Sequence, residues 1–197
     1  MAEARDRLIV ALDFAEVGAA RAFVEQVGDS VTFYKVGLEL VLNGGLDLVR
    51  ALKAEGKRVF LDMKLLDIPN TVEKAVANAA RTGADFLTIH AIDTKTIAAA
   101  ATGAAGSDLK VLGVTVLTSL DQSDLAEQGI AAATPGDLVI MRARLAKAAG
   151  CHGVIASGQE AAAVRAATGD GFLIVTPGIR LPSDAVGDQA RVATPGT

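Results

Sequence analysis

Seven short runs of apolar, β-branched residues recur along the chain and are separated by Ala-rich stretches with helical spacing of the apolar positions. The runs are continuously apolar rather than alternating, which predicts strands covered on both faces. They start at intervals of roughly 25 residues, the length of one strand–helix unit with short loops. The predicted strands are Leu8–Leu12, Val31–Val36, Arg58–Leu61, Phe86–His90, Val111–Leu117, Gly153–Ala156 and Phe172–Thr176.

The segments between these runs predict helices. The clearest helical patterns are Val17–Val27, Gly45–Ala54, Thr71–Thr82 and Pro135–Ala149. Several helical segments are closed by Gly, which is the usual stop at a helix C-terminus. These stops are Gly28, Gly56, Gly83 and Gly150.

The alternation of strand and helix predicts the α/β class and a single (β/α)8 TIM-barrel domain over residues 1–197, rather than an open doubly wound sheet. Only seven strands are found, so the eighth is missing from the sequence. Thr194 as N-cap and Pro195 at the first helical position predict a further helix at the end of the chain. We therefore expect the sequence to be incomplete at its C-terminus.

Polar side chains follow the apolar runs at the points where the strands should end. They are Asp13, Lys35, Asp62, His90, Thr118, Ser157 and Arg180. A barrel brings the carboxyl ends of all its strands to one mouth, where active sites of this architecture lie. The barrel prediction therefore also predicts a polar site.

The strongest candidate site begins with Asp62 and Lys64, directly after the third apolar run. In a strand, residues i and i+2 share a face and lie about 6–7 Å apart along the chain. Asp67 follows in the loop that precedes a Pro. With Asp13 and Lys35, these residues form a self-neutralising array that can keep Lys64 cationic in a dry pocket. The alternative interpretation is a structural ion-pair cluster at the surface.

Composition narrows the class of protein. The chain is 51% hydrophobic and 21% charged, which indicates a compact globular domain. It has no Trp and one Tyr, so we expect a core of Ala, Val, Leu and Ile. A net charge of −4 argues against binding to nucleic acid or to a membrane surface. There is no signal-peptide pattern and no apolar run of ~18 residues, which predicts a cytoplasmic protein.

Other reactive residues carry weaker hypotheses. One Cys rules out an internal disulfide, and Cys151 is interpreted as an ordinary buried residue. His152 beside it is not interpreted as part of a nucleophile pair, because adjacent strand residues point to opposite faces. His90 is interpreted as a histidine of the barrel rim. No metal-ligand spacing, P-loop or GxGxxG motif is found.

The loop after the seventh run suggests a phosphate site. Barrels often bind phosphate at the loops after strands seven and eight, using backbone N–H groups and a positive charge. Arg180 closes the turn Thr176–Arg180, and Gln189 lies in the polar segment that follows. The alternative is a solvated loop arginine.

The run Asp62-Met63-Lys64-Leu65-Leu66-Asp67-Ile68-Pro69-Asn70-Thr71 resembles the signature of the orotidine 5′-phosphate decarboxylases. The similarity extends over essentially the whole chain. It includes Ala11-Leu12-Asp13, Tyr34-Lys35-Val36-Gly37, Leu117-Thr118-Ser119, Thr176-Pro177-Gly178-Ile179-Arg180 and Gly187-Asp188-Gln189. The resemblance implies a carboxy-lyase that converts orotidine monophosphate to uridine monophosphate, in pyrimidine synthesis, without cofactor or metal.

The resemblance also implies roles for the charged residues. Lys64 would deliver a proton to C6 of the pyrimidine, and Asp62 would lie beside the departing carboxylate. Lys35 would hold Asp62 and the ribose in place. In a homodimer, the neighbouring subunit's site would receive Asp67, Ile68 and Thr71 across the interface.

The remaining implied roles concern substrate binding. Asp13 would bind the ribose, and Thr118 and Ser119 would bind the pyrimidine edge. Pro177, Arg180 and Gln189 would bind the substrate, with Arg180 and Gln189 on its phosphate side. Family members continue into a last strand with a phosphate-binding Gly-Arg, so we expect little activity from a chain without it.

Two alternatives stay open at this point. One is a magnesium-dependent sugar-phosphate decarboxylase or aldolase on the same barrel, which resembles this chain in Asp-x-Lys-x-x-Asp. The continuation Ile68-Pro69-Asn70-Thr71 argues against it. The other alternative is a non-catalytic barrel that serves as a binding or structural subunit. The four charged residues at the barrel mouth argue against it, because a protein without catalytic activity has no reason to keep them there.

Overall fold

The computed structural model describes residues 4–131, 134–180 and 193–194. Within them lies one sheet of seven strands, all parallel and hydrogen-bonded in sequence order. The strands are β1 (Val10–Ala11), β2 (Phe33–Gly37), β3 (Arg58–Leu65), β4 (Phe86–His90), β5 (Lys110–Val114), β6 (Gly153–Ile155) and β7 (Leu173–Val175).

Helices alternate with the strands. They are α1 (Val17–Val27), α2 (Leu38–Leu40), α3 (Leu46–Ala54), α4 (Pro69–Ala80), α5 (Thr94–Ala104), α6 (Gln122–Glu127), α7 (Pro135–Ala148) and α8 (Ala161–Thr168). Short 3₁₀ turns cover Ala4–Arg7 and Gly28–Ser30, and a kinked π-type turn, Val41–Gly45, joins α2 to α3. None of the helices in the described part of the chain is both long and apolar enough to cross a bilayer.

The strand order confirms the barrel-type fold. Each strand pairs in parallel with its neighbours in sequence, from β1 to β7, and the connections contain helices. A doubly wound sheet would instead reverse its strand order at a switch point. Beyond β7, Ile179 forms a parallel bridge with Ala193. The helix predicted to start at Pro195 lies outside the described residues.

The observed boundaries differ from the predicted ones in places that matter for the site. Strand β3 continues to Leu65 instead of ending at Leu61, and β5 ends at Val114 instead of Leu117. Helix α4 begins at Pro69, not at Thr71 as predicted. The reason is that proline suits the first helical position, where its missing N–H has no helical partner to lose.

The interior of the barrel has an aromatic floor, contrary to the expectation of a purely aliphatic core. Phe33, Phe60 and Phe86 are buried on adjacent strands together with Leu112. The ring centroids of Phe33 and Phe86 are 5.1 Å apart, and those of Phe60 and Phe86 are 6.1 Å apart, both edge-to-face. The guanidinium of Arg58 lies 4.1 Å from the Phe33 centroid and covers this floor.

The opposite face of the sheet packs against the helices. Its buried residues, such as Val36, Leu61 and Ile89, alternate along their strands with the interior ones. Tyr34 is fully buried on this side, and its hydroxyl donates to the Val31 carbonyl at 3.3 Å. Both faces of the sheet are therefore covered by apolar side chains, as the continuous apolar runs predicted.

Candidate active site

The alternation that buries the phenylalanines also places the charges. Lys35 lies two residues after Phe33 on β2, and Asp62 lies two residues after Phe60 on β3. Residues two apart in a strand share a face, so both charged side chains rise from the aromatic floor toward the carboxyl ends of the strands. The site is therefore one layer above the floor, at the barrel mouth.

Four of the predicted residues form a continuous chain of ion pairs there. Lys35 Nζ lies 3.0 Å from Asp13 Oδ1 and 3.6 Å from Asp62 Oδ2. Lys64 Nζ lies 2.7 Å from the same Asp62 Oδ2. Signs alternate along the chain, so each charge has an opposite neighbour, which offsets the cost of removing it from water.

Asp62 is the most buried member of the chain of ion pairs. Its side chain is 14% exposed, compared with 22% for Lys35 and 32% for Lys64. Burial by itself would raise the pKa of the Asp62 carboxyl. Hydrogen bonds from Lys64 and Thr88, with the charges of Lys64 and Lys35, outweigh burial and hold this pKa below its ordinary value. Asp62 is therefore a carboxylate at neutral pH.

Lys64 has an unusual backbone. Leu61 pairs with Leu87 and Leu65 pairs with Ile89. Four residues along β3 therefore span the same length as two residues along β4, which defines a β-bulge in β3. Within this bulge Lys64 has a φ of 50°, the one positive value outside glycine among the described residues. Such a conformation costs about 1–3 kcal/mol and is maintained by surrounding contacts, often at functional sites.

A cavity of about 150 Å³ opens beside the ion pairs. Its lining consists of Leu12, Asp13, Lys35, Gly37, Leu38, Glu39, Leu40, Asp62 and Lys64. A Cβ at Gly37 would lie 3.4 Å from Lys35 Nζ and 3.9 Å from Asp13 Oδ1, so glycine keeps this space open. The volume is smaller than a typical ligand pocket of about 300–1,000 Å³, so a larger ligand would also contact the rim.

Asp67 and Ile68 lie in the connection between β3 and α4, and Thr71 lies in the first turn of α4. Asp67, Ile68 and Thr71 are all exposed, and Ile68 has a relative accessibility of 67%. The Asp67 carboxylate accepts the N–H of Ile68 at 2.6 Å. In the described part of the chain it forms no salt bridge to the lysines of the site. None of these three residues belongs to the ion pairs or to the cavity lining described above.

The other predicted binding residues lie on later loops. Thr118 is buried and Ser119 is exposed in the turn after β5. Pro177 and Arg180 follow β7, and the Arg180 backbone N–H donates to the Ala193 carbonyl at 2.9 Å. Gln189 lies outside the described residues.

His90 ends β4 at the same mouth and is half-buried. Burial lowers the pKa of its imidazole, and the positive charges of Lys64 and Arg142 lower it further. The side chain is therefore neutral at pH 7, which avoids adding a third positive charge next to Lys64 and Lys35.

Cys151 and His152 are not an active pair. Burial raises the pKa of the Cys151 thiol to about 12, so it is unreactive at neutral pH. The prediction of an ordinary buried cysteine is confirmed. His152 Nδ1 accepts the backbone N–H of Val111 at 3.1 Å, which gives this histidine a structural role between β5 and β6.

The structure reveals site residues that the sequence argument missed. Thr88 on β4 bonds to both Asp62 and Lys64, and Gly37 and Glu39 line the cavity. A signal for Thr88 was present, because it is a polar residue within an apolar strand and shares its face with His90 two residues later. No comparable signal marks Glu39.

The described residues contain no group of three or more His, Cys, Asp or Glu side chains that could hold a metal ion. The ion-pair chain itself has two ammonium groups beside its two carboxylates, a poor donor set for a cation. The expected independence from metal and cofactor stays a prediction for solution tests.

Known proteins similar to this chain match nearly all of it, and the chain spans about four fifths of their length. The sequence model of the Orotidine 5′-phosphate decarboxylase / HUMPS family matches residues 6–197. A relative from Ruegeria pomeroyi (strain ATCC 700808 / DSM 15171 / DSS-3), named orotidine 5′-phosphate decarboxylase, is 55% identical over 194 residues, covering 98% of this chain and 80% of the relative. One of the same name from Rhodopseudomonas palustris (strain BisA53) is 53% identical over 193 residues, covering 98% and 81%.

Solved structures agree with the sequence relatives. The crystal structure of orotidine 5′-phosphate decarboxylase from Lactobacillus acidophilus matches with a TM-score of 0.82 and 37% sequence identity, over 88% of this chain and 81% of that one. The resemblance carried by Asp62–Thr71 and the other motifs is thus confirmed over nearly the full length. The chain belongs to the orotidine 5′-phosphate decarboxylase / HUMPS family.

Proposed function

We propose that this protein decarboxylates orotidine 5′-phosphate to uridine 5′-phosphate in pyrimidine synthesis, in the cytoplasm and without metal or cofactor. The observation that carries the proposal is the Asp62–Lys64 pair, 2.7 Å apart at the barrel mouth, in a chain whose relatives bear the name of this enzyme. No curated relative compared above is named as a magnesium-dependent sugar-phosphate enzyme, so that alternative is not favoured.

Lys64 is the residue we propose as the acid. Loss of CO₂ leaves an electron pair on C6 in an sp² orbital that the pyrimidine ring cannot delocalise. An ammonium fixed beside C6 stabilises this charge and then transfers a proton to the carbon, forming the C–H bond and leaving a neutral amine that solvent reprotonates. The salt bridge to Asp62 supports this role, because it holds the Lys64 ammonium in a fixed place at the barrel mouth.

Asp62 would lie beside the carboxylate of the substrate. Because its own pKa is lowered, it stays negative and would repel the leaving carboxylate until CO₂ departs. Such ground-state destabilisation is a contested contribution to catalysis. Lys35, 3.6 Å from Asp62 and 3.0 Å from Asp13, would hold both carboxylates in place and support the ribose.

The rest of the substrate would lie along the rim of the mouth. Asp13, 69% exposed, would bind the ribose hydroxyls. Thr118 and Ser119 would contact the pyrimidine edge, Arg180 and Gln189 would form the phosphate side, and Pro177 would also contact the substrate. Binding energy from the remote phosphate would then support the chemistry at C6. These assignments follow the family motifs at matching positions.

We also propose a homodimer in which Asp67, Ile68 and Thr71 complete the site of the neighbouring subunit. All three are exposed, although they belong to the motif that contains Lys64. Four other large exposed apolar residues follow the neighbouring strands β2, β3 and β4 in the chain: Leu38, Leu42, Leu66 and Ile92. An apolar patch of this kind on adjacent loops is typical of a protein–protein interface.

The test is decarboxylation followed by ultraviolet absorbance with a chelator present, using enzyme in molar excess so that slow turnover is still measured. Lys64→Ala should lower the rate by about 100- to 10,000-fold. Lys53→Ala is a matched control, because Lys53 forms an equally short 2.7 Å pair with Asp85 away from the cavity lining. Folded wild-type protein that forms no product would refute the proposed reaction, and an active Lys64→Ala variant would refute the proposed acid.

A further inference from the structure

A single hydroxyl joins the two central charges of the site. Thr88 is fully buried on β4, next to β3. Its Oγ1 accepts the backbone N–H of Lys64 at 2.9 Å and donates to Asp62 Oδ1 at 2.8 Å. We propose that Thr88 is a positioning residue that fixes both the backbone of Lys64 and the rotation of the Asp62 carboxylate, an inference that rests on the proposed function.

The backbone contact is needed because of the bulge in β3. Regular pairing between β3 and β4 is interrupted between Leu61 and Leu65. The Lys64 N–H therefore needs an acceptor other than a backbone carbonyl of β4. The Thr88 hydroxyl supplies that acceptor where Lys64 has its positive φ of 50°. A positive φ is unfavourable for a lysine backbone, so a specific contact must stabilise this conformation.

The hydrogen bond from Thr88 gives the two carboxylate oxygens of Asp62 different partners. Oδ1 accepts from Thr88, while Oδ2 lies 2.7 Å from Lys64 Nζ and 3.6 Å from Lys35 Nζ. With Oδ1 anchored, the carboxylate cannot rotate to offer one oxygen to each lysine. Both ammonium groups are therefore drawn to the same oxygen, which sets where Lys64 Nζ lies above the floor of the barrel.

The hydroxyl can serve both partners only because it is donor and acceptor at once. Valine has nearly the same shape as threonine but neither function, so Thr88→Val removes both bonds with little change in packing. Serine keeps both. A matched control is Thr115→Val, since Thr115 is also fully buried and its hydroxyl donates at 2.8 Å to the Ile155 carbonyl, not to the ion pairs.

The experiment compares steady-state kinetics of the wild type, Thr88→Val, Thr88→Ser and Thr115→Val. We expect Thr88→Val to lower kcat by about 10- to 100-fold, the scale of a lost hydrogen bond to a charged group, with little change in KM. Thr88→Ser should keep kcat close to wild type, as should Thr115→Val despite a lower melting temperature. Thr88→Ala serves in the same comparison if the valine variant does not fold.

A second measurement needs no substrate. In protein labelled with ¹³C at aspartate, the pKa of Asp62 should rise in Thr88→Val, which loses one bond to the carboxylate while Lys64, Lys35 and His90 remain around it. Amide exchange at Lys64 should accelerate in the same variant. These two measurements test the positioning role without turnover. Wild-type protein that forms no product would refute the proposed reaction, but the Asp62 pKa and the Lys64 amide exchange would still test the role of Thr88.

The positioning role is overturned by either of two results. One is a Thr88→Val variant with wild-type kcat and an unchanged Asp62 pKa. The other is a loss in Thr88→Ser equal to that in Thr88→Val, because serine keeps the hydroxyl and the effect would then not depend on the two hydrogen bonds.

Discussion

Asp62 provides the sharpest test of how the charges contribute to stability. Asp62→Asn keeps the shape and the bond to Thr88 but removes the negative charge between two lysines, 2.7 and 3.6 Å from Asp62 Oδ2. Hydrogen bonds to charged groups contribute about 1.5–3 kcal/mol, and breaking a fully buried pair costs more. With side chains 14–32% exposed, we expect the free energy of unfolding to fall by about 2–3 kcal/mol at pH 7.

The pH dependence of this difference follows from the lowered pKa of Asp62. A carboxyl whose pKa is lower in the folded state stabilises the protein fully above its ordinary pKa of 3.8 and loses this effect as pH falls through the folded value. The stability difference between wild type and Asp62→Asn should therefore be constant from neutral pH to about pH 5 and shrink below about pH 4.

The assay is urea unfolding at several pH values between about 3 and 7, followed by circular dichroism. Asp85→Asn is the control, because Asp85 also accepts two bonds of 2.7 Å, from Lys53 Nζ and the Val59 N–H, outside the site cavity. It should destabilise the protein while leaving turnover intact. An Asp62→Asn variant as stable as wild type at pH 7 would refute the reasoning, since desolvation of Asp62 would then equal its ion-pair energy.

Three further predictions concern the floor, the cavity and the exposed patch. Phe86→Ala should cost about 3–5 kcal/mol in urea unfolding, because Phe86 contacts both other rings of the floor, whereas Phe14→Ala, at a tilted pair on the outer side, should cost less. Gly37→Val should lower kcat/KM by displacing Lys35 from beside Asp13, and unchanged kinetics would show that the space is not used. Ile68→Asp should convert the proposed dimer into monomers in sedimentation experiments. Met141→Asp, at an exposed apolar residue of helix α7, is the control and should not. An unchanged sedimentation coefficient for Ile68→Asp would contradict the proposed interface.

The sequence predicted the barrel and the convergence of charges because both follow from local patterns. Continuous apolar runs indicate strands covered on both faces, and parallel strands bring Asp13, Lys35 and Asp62 to one end. Asp62 and Lys64 meet, as alternation predicted, but not through a regular strand. The bulge and the positive φ of Lys64 depend on pairing with β4, a tertiary contact that no local pattern encodes.

The aromatic floor shows a second limit of composition. A count of Trp and Tyr suggested an aliphatic core, yet three phenylalanines meet because Phe33, Phe60 and Phe86 hold interior positions on three neighbouring strands. Their contact depends on register: Phe60 pairs directly with Phe86, and Phe33 pairs with Arg58. Register between distant strands is set by the assembled sheet, so the sequence alone could not give it.

The floor and the charges depend on each other through the same two-residue period. Phe33 and Phe60 remove water from below Lys35 and Asp62, which strengthens the attraction between the ions but also raises the cost of burying each of them. A lone carboxyl above such a floor would have a raised pKa, because burial alone disfavours its charged form. Asp62 stays charged because two ammonium groups and the Thr88 hydroxyl all reach it. The site therefore needs the complete array: the same charges without the floor would be screened by water, and the floor with an incomplete array would raise the pKa of Asp62.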